Sequence, residues 1–221
     1  MATLSMANEF EAMRTAMVVS QLRPNAVSDP RVVAAMAAVA REAFVPADAA
    51  ALAYRDTAVP LGGGRAANLP IATGRLLTEA RLQPADRVLL IGAATGYTAT
   101  VLAGLVAHVV AVESDAGLAA SARVALEGVA GVELVEGPLE QGHAAGASYD
   151  VLIVDGAVEE LPEALVAQLR EGGRIVAALV DRGVTRLAGG QRTGGGFGLA
   201  DFADIESVVL PGFARRRGFS F

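Results

Sequence analysis

The sequence predicts an α/β protein with a mostly parallel, Rossmann-like sheet and an amino-terminal helical extension. From Arg87 onward, short apolar runs of strand length alternate with helical stretches. The first of these runs, Arg87 to Ile91, turns into the small-residue segment Gly92 to Gly96. Repeated β-α units of this kind imply parallel strands joined by right-handed crossovers. A chain of 221 residues, 53% of them hydrophobic, is long enough for one well-buried core, so residues 1–221 are read as one domain. Within it, residues 1–80 form the extension with its loop, and residues 81–221 form the Rossmann-like core.

In chain order, Phe10, Met13, Met17 and Val18 recur at helical spacing and predict an amphipathic helix over Asn8 to Leu22, ended by Pro24. Ser28 and Asp29 supply capping side chains and Pro30 a first-turn proline for a helix over Val32 to Ala40. A short helical stretch is expected from Pro46 to Tyr54. Irregular chain follows over Val59 to Pro70, where Gly62, Gly63 and Gly64 describe a loop that passes close to something. A helix is expected at Ile71 to Ala80. Strands are then expected at Arg87 to Ile91, Val109 to Val112, Val132 to Val135, Val151 to Val154 and Arg174 to Val180. Helices at Tyr97 to Leu105, Ala116 to Leu126 and Pro162 to Leu169 lie among them. Val184 to Leu187 and Phe197 to Phe202 flank a glycine-rich stretch, Gly189-Gly190 and Gly194 to Gly196, as an antiparallel hairpin with a flexible tip, and Ile205 to Leu210 is expected as a last strand.

Composition excludes several function classes. There is no cysteine, which removes disulfides, zinc-thiolate sites and cysteine nucleophiles. A net charge of -6 argues against a nucleic-acid partner. Glu9, Glu11 and Arg14 interrupt any signal-peptide core, and the longest apolar run, Thr100 to Val112, is shorter than the roughly 20 residues a bilayer needs. A cytoplasmic protein with no membrane association is therefore expected, its oligomeric state left open. The basic cluster Arg215 to Arg217 reads as a solvated tail, with carboxylate or phosphate recognition as the alternative. His108 and His143 read as structural, and no metal site is expected.

The stretch that carries chemistry is Gly92, Ala93, Ala94, Thr95, Gly96 and Tyr97. A buried strand that turns through small residues into a helix offers backbone N–H groups and a positive helix end to a ligand. Glu113 ends the next strand, 21 residues after Gly92, where a carboxylate can accept both hydroxyls of an adenosine ribose. These features suggest an adenosine-containing cofactor but are shared by dinucleotide-binding enzymes and methyltransferases.

Four further segments resemble the protein-L-isoaspartate O-methyltransferase family, and the likeness runs along almost the whole chain. They are Ser20 to Arg23 with Val32 to Pro46; Ala53-Tyr54 and Asp56 with Pro60 to Gly64; Asp86 to Tyr97; and Tyr149-Asp150 with Leu161 to Leu165. The resemblance implies a seven-stranded class I fold that uses S-adenosylmethionine to methylate the carboxylate of isomerised aspartate in a damaged protein or peptide. It implies cofactor contacts at Gly92 to Tyr97, Glu113, Ser114, Pro138 and Leu139, and substrate contacts at Ala66, Ala67, Leu69 and Pro70. A carboxylate is already a nucleophile, so alignment and exclusion of water suffice and no general base is needed.

The chain departs from that family's pattern in the loop. The family reads Gly-Gln-Thr-Ile-Ser-x-Pro where this chain has Gly64-Arg65-Ala66-Ala67-Asn68-Leu69-Pro70, so both hydroxyls are gone and the Asn68 amide is the remaining side-chain donor. Losing one such bond costs about 1–3 kcal/mol. Leu90, Ala94 and Pro138 replace an acid, a glycine and an acid. Asp155, at a position usually uncharged in the family, is read as a catalytic candidate that acts as base or ligand, or else as a helix cap. Two other readings stand beside methyl transfer: a catalytically degenerate binding or regulatory protein, or a methyltransferase with another acceptor. A nicotinamide-dependent oxidoreductase is a third and leaves the extension and loop without a role.

Overall fold

A computed structural model describes residues 2–215. Helix α1 (Ala2–Met17) runs into a wider helical turn over Val18–Leu22, with Met17, Val18 and Leu22 buried. Helix α2 (Pro30–Ala38) starts where expected: Asp29 accepts a hydrogen bond from Arg31 N at 2.8 Å, and Pro30 takes the first turn, where a missing N–H costs nothing. Turns of 3₁₀ helix follow at Arg41–Phe44 and Ala47–Leu52. The second of these stands where a longer helical stretch to Tyr54 was expected.

The segment expected to be irregular is a hairpin, β1 (Val59–Gly62) paired antiparallel with β2 (Arg65–Ala67). Gly63 and Gly64 turn it with positive φ, a conformation open to glycine at no steric cost. Helix α3 (Pro70–Glu79) is buried along most of its length. The core then alternates: β3 (Arg87–Ile91), α4 (Tyr97–Ala103), β4 (His108–Glu113), α5 (Ala116–Ala125), β5 (Val132–Glu136), β6 (Tyr149–Val158), α6 (Glu163–Val166), β7 (Leu169–Asp181), β8 (Val184–Thr193) and β9 (Gly196–Ala203). Strands β3 to β9 form one seven-stranded sheet in the order β5-β4-β3-β6-β7-β8-β9, parallel from β5 to β7 and antiparallel from β7 to β9.

The period of two within each strand explains why the central runs carry no polar residue. Val88, Leu90, Val109, Ala111, Val151 and Ile153 face one apolar cluster, under α1 to α4. Their neighbours Leu89, Ile91, Val110, Val112, Leu152 and Val154 face another, with Leu165, Val166, Leu210 and Phe213. A sheet covered on both faces needs continuous apolar strands.

Two expectations at the end of the chain are corrected. The helix over Pro162 to Leu169 shrinks to α6 because β7 already begins at Leu169. Ile205 to Leu210 forms no strand, since β9 holds the sheet edge. That segment crosses above β6 instead, joined by one bridge, with Ala157 N donating to Val208 O at 2.7 Å and Leu210 N to Ala157 O at 2.9 Å. Among the described residues no helix is long and apolar enough to cross a membrane. Arg215 donates its backbone N–H to Glu159 at 2.8 Å, while Arg216 and Arg217 lie outside the described residues.

Candidate functional site

The turn that follows β3 and Asp155 of β6 line one small cavity, bordered also by residues 65–68 and by Leu210. The turn from β3 to α4 is built as expected from small residues, with Gly92 and Gly96 at φ +84° and +98° and Ala94 at +49°. An alanine in that left-handed region costs on the order of 1–2 kcal/mol. The turn's N–H groups were expected to face a ligand, but four are spent internally, Gly96 N on Ala93 O at 2.8 Å among them. Gly92 N and Ala93 N donate to Val112 O, and Ala94 N donates to Glu113 Oε2 at 2.8 Å. Thr95 ties the turn to the extension through Phe44 O, 2.6 Å away.

Glu113 is 0% exposed. Besides Ala94 N it accepts from Ser114 N at 2.8 Å and Asp115 N at 2.9 Å, both at Oε1. Arg65 completes the set as a two-pronged ion pair, Nη1 to Oε1 at 2.6 Å and Nη2 to Oε2 at 3.1 Å. Five donors saturate the roughly four lone-pair positions of a carboxylate. The cavity beside it holds only ≈ 20 Å³, room for about one water. Outside lies a groove of ≈ 380 Å³ that includes Gly63, Gly64, Ser114 and Pro211, and Arg65 and Leu210 line both spaces. The Arg65 side chain and Leu210 thus separate the small inner cavity from the wider groove outside.

The predicted cofactor residues therefore divide. Gly92 to Thr95 and Tyr97 line the inner cavity, while Ser114 and Pro138 line an outer groove of ≈ 430 Å³ with Gly137 and Glu140. Leu139 is buried at the head of a 3₁₀ turn, and Gly96 packs against Leu126. Leu210 packs on the two glycines beneath it: a Cβ at Gly92 would stand 3.1 Å from its Cδ1, and one at Gly156 2.6 Å from its Cγ.

On the loop side, Ala66, Ala67 and Asn68 line the cavity, whereas Leu69 and Pro70 turn into the interior at the start of α3. Asn68 is buried and spans the site. Its Nδ2 donates to Asp155 Oδ1 at 2.9 Å, and its Oδ1 accepts from Ser207 Oγ at 3.0 Å and Val208 N at 3.2 Å. One amide hydrogen is thereby committed, which leaves the other for the cavity. Asp155 is not the helix cap that the sequence allowed. It lies within β6, buried, and accepts from Thr73 Oγ1 at 2.9 Å and from the Thr98 hydroxyl besides Asn68.

Sequence reasoning passed over Arg41, which is 2% exposed. Its Nε donates to Ala53 O at 2.8 Å, its Nη2 donates to Asn68 O, and its guanidinium lies over the Tyr97 ring, 4.5 Å from the centroid. The Tyr97 hydroxyl is buried with no hydrogen-bond partner among the described residues, and burial pushes its pKa up against the opposing field of Arg41. Nothing in the local pattern announces these pairings, which join segments far apart in the chain. His108 and His143 each stand 3.9 Å from Glu133, away from the cavity.

A family model described as protein-L-isoaspartate(D-aspartate) O-methyltransferase matches residues 13–196. The chain is 41% identical over 169 residues to a protein-L-isoaspartate O-methyltransferase of Koribacter versatilis, covering 76% of each. It is 35% identical over 209 residues to one of Herpetosiphon aurantiacus, covering 94% of this chain and 93% of the relative. A solved protein-L-isoaspartate O-methyltransferase superposes with a TM-score of 0.77 at 23% identity. That match covers 92% of this chain, which spans 66% of the solved structure's length. A beta-aspartate methyltransferase structure from Plasmodium falciparum, in complex with S-adenosyl-L-homocysteine, gives 0.73 at 18% identity, covering 89% and 97%. The chain belongs to the protein-L-isoaspartate(D-aspartate) O-methyltransferase family.

Proposed function

We infer that the chain transfers the methyl group of S-adenosylmethionine to the carboxylate of an L-isoaspartyl residue in a damaged protein or peptide. The observation that carries this reading is the small-residue turn at Gly92 to Gly96 with Glu113 beside it, in a chain of this family. The relatives bear that activity in their names, and the related Plasmodium structure holds the demethylated product of the cofactor.

Glu113 would hold the ribose hydroxyls, Ala93 and Ala94 would permit close approach, and Ser114, Pro138 and Leu139 would flank the adenine. When bound, the cofactor supplies an electrophilic methyl on sulfur. The chain's own part is placement. Asp155, fixed by Thr73 and Thr98, holds Asn68 so that its second amide hydrogen serves the acceptor, beside Ala66 and Ala67. The acceptor carboxylate is already an anionic nucleophile and needs no base, so alignment in a small cavity suffices. The absence of cysteine supports a cytoplasmic setting.

One observation favours a second reading, a binding or regulatory protein that keeps the fold: Glu113 is already saturated. Titration calorimetry with S-adenosylhomocysteine, with NAD as control, and methyl transfer to an isoaspartyl peptide separate the two. Binding of S-adenosylhomocysteine with methylation of the isoaspartyl but not the aspartyl peptide is expected. An inert, cooperatively folded protein that binds neither compound would establish the second reading.

A further inference from the structure

Arg65 is a guanidinium with two places to be. Its side chain is 9% exposed and, among the described residues, its only counterion within hydrogen-bonding distance is Glu113, the group a ribose would take. It lines both the inner cavity, where the Gly92 to Thr95 turn faces Ala66 to Asn68, and the outer groove beside Ser114, so it borders the cofactor candidates and the acceptor candidates alike. The cavity's other guanidinium is not available, since Arg41 is committed to Ala53 O, Asn68 O and the Tyr97 face. Ala66 and Ala67 offer no side-chain donor, and Asn68 has given one of its two amide hydrogens to Asp155. The site as built thus lacks a fixed cation for an incoming carboxylate.

When hydroxyls replace the guanidinium on Glu113, Arg65 keeps its charge and loses its partner in a poorly solvated place. A buried charge left unpaired is costly, and a carboxylate arriving at residues 65–68 relieves it. A guanidinium also matches a carboxylate with two parallel hydrogen bonds, which a lysine cannot do. We propose that Arg65 is a specificity-determining residue that guards the ribose position on Glu113 in the empty protein and, once displaced, recognises the acceptor carboxylate. This rests on the methyl-transfer reading above. It makes the two ligands cooperative, because the cofactor releases the group that the acceptor needs, and such coupling is reciprocal.

Titration calorimetry on the full chain tests it, with S-adenosylhomocysteine and an L-isoaspartyl peptide as probes, for wild type, Arg65→Gln and Arg65→Lys. Wild type should bind the peptide about tenfold more tightly when saturated with S-adenosylhomocysteine. Arg65→Gln should bind S-adenosylhomocysteine about tenfold more tightly than wild type, having no internal competitor, and should lose the coupling to peptide. Arg65→Lys should also bind S-adenosylhomocysteine more tightly and keep part of the coupling; it carries the test if the glutamine variant fails to melt cooperatively. Unchanged affinity for S-adenosylhomocysteine in both variants would overturn the guarding role. Tighter S-adenosylhomocysteine with unaltered peptide coupling would overturn the acceptor role and leave the methyl-transfer reading standing. Folded wild type and variants that all ignore S-adenosylhomocysteine would sink that reading together with this one.

Discussion

Asn68 and Asp155, 87 positions apart, meet with Nδ2 2.9 Å from Oδ1, and the same amide accepts from Ser207 and Val208 on its other side. One side chain thus joins the loop, the end of β6 and the returning tail. Asn68→Ser installs the hydroxyl that the family pattern carries but is too short to reach all three. It should lower the unfolding free energy by about 1–3 kcal/mol in urea titration, because buried partners go unpaired. An unchanged midpoint would show that the amide is not a strut.

Ala94 has its φ at +49°. Ala94→Gly removes the clash of Cβ with the backbone and should raise stability by about 1 kcal/mol, reversing the usual cost of glycine. Thermal melts of the two proteins side by side decide it, and a lowered Tm counts against strain at this turn.

Tyr97 buries a hydroxyl that has no hydrogen-bond partner among the described residues. Tyr97→Phe should therefore be neutral or stabilising, by up to about 1 kcal/mol, since an unsatisfied buried group has a desolvation penalty and no return. A clear loss of stability would mean that the hydroxyl has a partner in solution.

Asp29 caps α2 and is held below the ordinary carboxylate range by the Arg31 hydrogen bond, against the opposing effect of burial. A depressed folded pKa means stability that is present above the unfolded value of about 3.9 and lost as pH falls through the folded one. Asp29→Ala should cost about 1 kcal/mol at pH 7 and progressively less below pH ~4. Stability measured against pH for both proteins should converge in acid, and parallel curves would remove Asp29 from the account.

Where neighbours in the chain decide the structure, the sequence was legible. Arg87 to Ile91 is a strand with the bounds expected, because both faces are covered over Val88 to Ile91, where nothing polar sits, while Arg87 at its start is exposed. Asp29 and Pro30 mark a real helix start for the same local reason. Ile205 to Leu210 looked like a strand, but its Ser207 and Val208 are claimed by Asn68, 139 and 140 positions away. The acid at the end of β4 was visible as Glu113. Its pairing with Arg65, 48 positions earlier, left no periodicity, spacing or cap to read. Local rules place the parts, and only tertiary packing says which part faces which.

The tail over β6 has a consequence for how the protein matures. Leu210 closes a hollow walled also by residues 65–68 and the Gly92 to Thr95 turn, and Ser207 holds Asn68 there, so a nascent chain halted after β9 has a finished sheet and an unfinished site. Contacts so distant in sequence form late and slowly. Competence should then be acquired only after the sheet has already become resistant to proteases.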